Sequence, residues 1–301
     1  MITYLKHREI DKQKWDNCMD ESINSLIYGY SWFLDVVSPN WDALVLGDYE
    51  AVMPLTWSNK FGIFYILQPL FVQQLGIFST HDSDEKLVQS FISGIPGKFR
   101  YFYIKLNSFN KISPSQPIKL IQNQNFEIDL SHDFDILRKN YSRNCNRNIL
   151  KAENSGLVLK TNEISVQEFA LFIKVNIGEE VDELSEKSYI LLENMLIAGY
   201  KKQSCEIISV SNSTNEILAA GSFFLTKNRC IFSVCASTPM GKRAQAMYFL
   251  VNHQLQKYSG KNMIFDFAGS NIPGVAYFNS TFGSEIKHYS SIVQKPVTLA
   301  N

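Results

Sequence analysis

The chain has 301 residues, 45% hydrophobic and 19% charged, which is enough apolar material for a sizeable core and excludes an intrinsically disordered chain. Lys+Arg and Asp+Glu both number 29, so the net charge is zero and the whole chain lacks the basic excess of a dedicated nucleic-acid binder. Five scattered cysteines (Cys18, Cys145, Cys205, Cys230, Cys235) form neither a disulfide framework nor a zinc pattern, and read as reduced thiols of a cytoplasmic protein that uses no metal.

In chain order, His7 falls in a first strand, followed by helix-like segments at 11–19 and 29–37. A meander comes next: DALVLG, a turn at Gly47–Glu50, AVMPLTW, a turn at Ser58–Lys60, and GIFYIL. The apolar stretch FGIFYILQPLFVQQLGIF is interrupted by Gln68, Pro69, Gln73 and Gln74, so it reads as buried strands and not as a bilayer span. These glutamines either satisfy one another and the backbone or line a polar acceptor cleft between two units. In the second case Trp32 is the cleft's aromatic wall and Arg143 and Arg147 face it. A helix-like stretch at Asp84–Ser93, the strand FRYFYIKL and the linker-like SFNKISPSQP complete this half.

The second half opens on DILRKNYSRNCNRNILKAENSG. Leu137, Tyr141, Cys145 and Ile149 lie four apart on one helical face, and Lys139, Arg143, Arg147 and Lys151 lie four apart on nearly the opposite one. Such a cation column suits a phosphate, such as a tRNA or a nucleotide-linked acceptor, or is a solvated face neutralised elsewhere. Helices at 165–177 and 185–202 flank an acidic cluster of Glu179, Glu180, Asp182, Glu183 and Glu186, read as a solvated loop or the source of a general base. A second meander runs EIISV, SNSTNE, ILAAGSFFL, a turn at Thr226–Arg229, and CIFSVCA. A loop, a helix from Lys242 to Tyr258 and the strand NMIFDF follow. Ser237, Gly241, Lys242 and Arg243 at that loop form either an anion site or an ordinary strand–helix junction. The order of elements repeats, so the chain reads as a tandem α/β (α+β) duplication with mixed, mainly antiparallel sheets, or as two unrelated α/β halves. On the tandem reading the units are residues 1–120, the acceptor side, and 121–301, the donor side.

This duplicated order resembles the GNAT acyltransferase fold, and two copies in one chain resemble the Fem-type branch, the peptidoglycan-bridge aminoacyltransferases and their relatives. SWFLDVVSPNWDALVLGDYEAVMPL, QPLFVQQLGIFS, NRNILKAENSGL and FDFAGSNIPGVAYFNSTFGSEIKHY resemble stretches of a GNAT-like family found in Bacteroidetes genomes. The resemblance implies an N-acyltransferase that takes acyl-CoA or aminoacyl-tRNA as co-substrate and passes the acyl group to a small-molecule amine. It also implies that the turn after Asp266, with Ser270 and Asn271, lines the donor cleft. Asp266 is then the candidate base or a structural turn cap, and Tyr289 the candidate proton donor. Ala268 stands where the family signature has Glu, which favours a second reading, a non-catalytic binding module.

Overall fold

The computed structural model describes residues 1–294, apart from Ser83, 115–116, 178–183 and Ser270. The acidic Glu179, Glu180, Asp182 and Glu183 and the candidate Ser270 therefore lie outside the described residues. Glu186 lies within them and pairs with Lys174 at 2.5 Å.

Two compact units emerge, one of Met1–Gln124 with the chain from Lys287 onward, the other Asn125–Ile286. In the first, β1 (Ile2–Leu5) leads through a short 3-10 turn that contains His7, expected in the strand, to α1 (Lys12–Glu21) and α2 (Ser31–Val37). Next come β2 (Asp42–Leu46), β3 (Ala51–Leu55), β4 (Trp57–Lys60), β5 (Ile63–Leu67) and β6 (Phe78–Ser79). After them run α3 (Glu85–Ser93), β7 (Phe99–Lys105) and the long β8 (Lys119–Asp129). Asp84 caps α3 by accepting from Leu87 N.

The expected first meander is divided between two sheets. β2 and β3 join β1 and β6, whereas β4 and β5 pair with each other and β5 with β7. Thr56 turns the chain between them: its hydroxyl donates to Leu67 O and its carbonyl accepts from Leu67 N. The β4–β5 turn falls at Phe61-Gly62 (φ 53° and 79°), not at Ser58–Lys60, because positive φ at both central residues matches the twist of a two-residue hairpin. Leu44, Met53, Phe91, Phe102 and Ile104 are among the residues that fill this unit's core.

The second unit starts with the last residues of β8, then α4 (Phe134–Lys139) and α5 (Arg143–Glu153). One helix was expected here. The chain breaks it because Ser142 caps α5 through Cys145 N and donates its own N–H to Thr281 O. The apolar stripe survives the break, with Leu137, Tyr141, Cys145 and Ile149 all buried. β9 (Val158–Thr161), α6 (Val166–Asn176) and α7 (Glu186–Lys201) follow, then the second meander, β10 (Cys205–Ser211), β11 (Ile217–Leu225) and β12 (Arg229–Ser237). α8 (Pro239–Ala244) and α9 (Ala246–Tyr258) replace a single expected helix, since Gln245 adopts a left-handed conformation between them. β13 (Ile264–Asp266), α10 (Pro273–Ser280) and β14 (Glu285–Gln294) end the described chain.

The second unit's strands run in the order β8-β13-β12-β11-β10-β9, antiparallel except for β12 beside β13. In the first unit, β14 lies between β7 and β8 and pairs Ile292 with Ile104. The last strand thus clusters with the first unit, not with the second as the sequence suggested.

Candidate functional site

The second unit contains a cleft that its strands create. β12 and β13 pair from Arg229↔Ile264 to Ile231↔Asp266, and there the pairing ends. Just beyond, the β11–β12 register steps from Phe223↔Phe232 to Gly221↔Cys235, so β12 carries one residue more than its partner. This is a β-bulge, which bends a strand and breaks its ladder. Buried Ser222 holds it, donating to Val234 O (3.3 Å) and accepting from Val234 N (3.2 Å). Where this pairing ends there is a cavity of about 690 Å³, lined among others by Phe232, Ser233, Cys235, Phe267, Ala268 and Asn279. That is ample for part of an extended small molecule.

The cavity wall is mostly apolar. Asn279 is 2% exposed, and its Nδ2 has no hydrogen-bond partner among the described residues. A buried amide donor left unpaired costs about 1–3 kcal/mol, so it is an uncommon feature in a native core. Burial pushes the Cys235 thiol up to about 12, which keeps it protonated and unfit as a thiolate nucleophile near neutrality.

Asp266 sits at the end of β13, fully buried and directly opposite Glu127 of β8. Like charges facing each other across strands repel, and Arg229 at the start of β12 resolves this by bonding both, at 2.8 Å to Glu127 and 2.7 Å to Asp266. Asn125 donates to both carboxylates at 3.0 Å. Asp266 Oδ1 also accepts from Ala268 N at 2.8 Å, so the buried cluster fixes the turn whose Ala268 (φ 54°) and Gly269 (φ 58°) line the cavity. Both oxygens of Asp266 are occupied, a geometry that suits a turn clamp better than a proton acceptor. Burial, reinforced by the Asp266 charge and opposed by Arg229, raises the pKa of Glu127.

The other sequence-derived candidates divide. Lys242 lines the cavity, whereas Ser237, Arg243 and Asn271 are absent from its lining. Gly241 has a packing reason: an added Cβ would lie 2.0 Å from Leu218 O, so only glycine lets α8 seat on β11. Its N–H bonds the Thr238 hydroxyl, the cap of α8. Arg143 and Arg147 are exposed on α5, and Arg147 bonds Asn144. Lys139 lies on the preceding helix, so the four-cation column is broken by the turn at 140–142.

Tyr289 belongs to the first unit, where with Ser108, Asn110, Lys111 and His288 it lines a separate cavity of about 450 Å³. Trp32, half-buried on α2, packs edge-on against Phe33. The glutamines bond within the first unit. Gln68 accepts from Lys105 N and donates to Val72 O, while Gln74 accepts from Ser108 N and donates to Gln73. None of the three is among the described residues lining these two cavities, and their bonds are those of the alternative in which they satisfy one another and the backbone. Gln74→Ala should cost about 1–3 kcal/mol by stranding Ser108 N–H, with ligand binding unchanged. Urea titration checks the first outcome and calorimetry the second.

Sequence reasoning missed Glu127, Asn125, Arg229 and Asn279. Arg229 had been read as a turn residue, and the one available signal was a lone arginine abutting an apolar strand.

Compared with solved structures, the chain superposes on the crystal structure of FemX with a TM-score of 0.69 at 12% identity, covering 93% of this chain and 96% of that one. The chain has the FemX fold. It is an α+β fold of two GNAT-like units, as the tandem reading implied. The C-terminal domain of a putative lysylphosphatidylglycerol synthetase from Agrobacterium fabrum matches at TM-score 0.59 and 11% identity, over 95% of this chain and 92% of that one. L-PGS from Bacillus licheniformis matches at 0.55 and 10%, with the same coverage. No protein-family model matches the chain. No curated protein matches it by sequence. Among the described residues no helix is long and apolar enough to cross a membrane.

Proposed function

We propose that the protein is an N-acyltransferase that binds an acyl-CoA or an aminoacyl-tRNA terminus in the β12–β13 cleft and transfers the acyl group to an amine. The observation that carries this reading is the end of the parallel β12–β13 pairing at Ile231↔Asp266, close to the bulge that β12 makes against β11 and beside an apolar slot. Backbone N–H groups past the end of such a ladder suit a carbonyl whose oxygen gains charge during attack, and positioning supplies much of the remaining acceleration. Asn279 is the fixed polar donor in the slot, and Lys242 is suited to an anionic part of the donor. Asp266 holds the turn through Ala268 N, and we assign it to positioning in preference to proton transfer.

One observation favours the non-catalytic reading: the described residues lining this cavity include no Asp, Glu or His. An enzyme of this kind has to release the amine proton to water or to a base brought by the substrate.

Calorimetry with acetyl-CoA and with aminoacyl-tRNA, followed by thiol-release or acyl-transfer assays over a panel of amines, tests both readings. Gly274→Phe gives the control, because Gly274 lines the cavity and an added Cβ there meets nothing within 4 Å. The variant should fold normally and bind the donor at least about tenfold more weakly, a loss of roughly 1.4 kcal/mol. Binding that Gly274→Phe leaves untouched would move the donor out of this cleft. Binding without turnover on any amine would favour the binding module.

A further inference from the structure

The first unit carries a charge pattern that the balanced total conceals. Residues 51–81 and 86–126 contain no Asp or Glu, yet they hold Lys60, Lys86, Lys98, Arg100, Lys105, Lys111 and Lys119. Since the whole chain is neutral, everything outside these two stretches carries an acidic excess of seven. Asp82, Asp84 and Glu85, just before and in the first turn of α3, are the acids between the two stretches.

Within this basic region the β4–β5 hairpin exposes apolar side chains at its tip. Phe61 is 92% exposed and Ile63 57% exposed. Phe61 also occupies the first central position of a two-residue turn at φ 53°, where Asn, Asp or Gly sits without strain. A large aromatic there is unfavourable on both counts, in backbone conformation and in hydration, so folding alone gives no reason for it. Lys60 Nζ stands 5.8 Å from the Phe61 ring. The parallel register Phe64↔Phe99 places the start of β7, with exposed Arg100, beside the tip end of β5, while neighbouring Lys98 is engaged by the Tyr4 hydroxyl at 2.6 Å and by Asp42 at 3.5 Å.

We propose that the β4–β5 hairpin tip and the adjoining start of β7 form a docking surface for a bilayer rich in anionic lipid. The tip projects as a turn and offers no groove, so it fits a surface that yields to an inserted side chain. Phe61 and Ile63 enter the headgroup–acyl boundary, while Lys60 and Arg100 meet the anionic headgroups. A polyanion such as RNA would satisfy the cations and leave Ile63 in water, which is why lipid is the better match. The inference stands apart from the cleft in the second unit and from the reaction assigned to it.

Co-sedimentation of the full chain with vesicles of phosphatidylglycerol and phosphatidylcholine (1:1), and with phosphatidylcholine alone, tests it. The protein should pellet with the mixed vesicles, and 0.5 M salt should release it. Lys60→Gln and Arg100→Gln should each weaken partitioning about fivefold, the effect of roughly one surface cation. Phe61→Asn should weaken it about tenfold or more while raising Tm by a degree or two, since Asn accepts the left-handed turn position. That pairing separates lost docking from lost folding. Failure to pellet with the mixed vesicles overturns the proposal. So does undiminished pelleting of Phe61→Asn, or binding of bulk tRNA that depends on Lys60 and Arg100 while vesicles are ignored.

Discussion

Arg229→Met should be the most destabilising single change in the second unit, at about 3–5 kcal/mol near pH 8. The substitution leaves Glu127 and Asp266 face to face in the core with Asn125 as their shared donor. Removing one partner of a buried charge cluster costs far more than the cluster contributes, because the remaining ions keep their desolvation penalty. The pH dependence has a definite sign. Glu127, its pKa already raised by burial, would lose the opposing influence of Arg229 and keep a folded-state pKa above its unfolded one. Its contribution is complete below the unfolded carboxylate range and is lost as pH rises through the raised value. Glu127 already behaves this way in the native chain, its pKa raised by burial, with Asp266 adding and Arg229 opposing. Urea midpoints at pH 5 and pH 8 read the effect: the Arg229→Met deficit should be much the larger at pH 8. A variant with the native midpoint at pH 8 would show that the cluster carries no such energy.

Gly241→Ala should lower Tm by roughly 5–10 °C, from a strain of about 3 kcal/mol. The added methyl would lie 2.0 Å from Leu218 O and 2.8 Å from its carbonyl carbon, both backbone atoms that no rotamer change can move. α8 has to lift from β11, breaking the Thr238 N–H bond to Leu218 O and moving Lys242, which lines the cavity. Thermal denaturation checks the stability loss, and acetyl-CoA calorimetry checks whether the cleft is disturbed with it. Gly274→Phe is the contrast, a far larger side chain placed where space is open. A Gly241→Ala protein as stable as the parent would mean that this junction yields more readily than its geometry indicates.

Local chemistry made much of the architecture legible. The stripe Leu137, Tyr141, Cys145, Ile149 announced a buried helical face because four-residue spacing persists across the break at Ser142. The second meander was readable because its strands are β-prone and its turns polar. The first misled at Ser58–Lys60: Ser and Asn are good turn residues, but here they lie in β4, and the turn falls on an unusual phenylalanine. The cleft was legible only as an order of elements. Its bulge depends on how β11 and β12 pair, and Arg229 acquires its role through partners 102 and 37 positions away. No local window contains those pairings. The glutamines left two readings open in the sequence, and the bonds that Gln68 and Gln74 make to the backbone at Lys105 and Ser108 match the one in which they tie segments of the first unit together.

The placement of β14 has a consequence for biosynthesis. Ile292, fully buried, belongs to the first unit's core beside Phe102 and Ile104, and β7 takes β14 as a partner. During synthesis β7 leaves the ribosome early, but its neighbour emerges only after Asn125–Ile286 has been made, roughly ten to thirty seconds later at ordinary elongation rates. Over that interval β7 presents an open hydrogen-bonding edge to other chains, in a nascent protein whose second unit is contiguous and free to fold first. The order of maturation is thus the reverse of the order of translation: the amino-terminal unit is begun first and closed last.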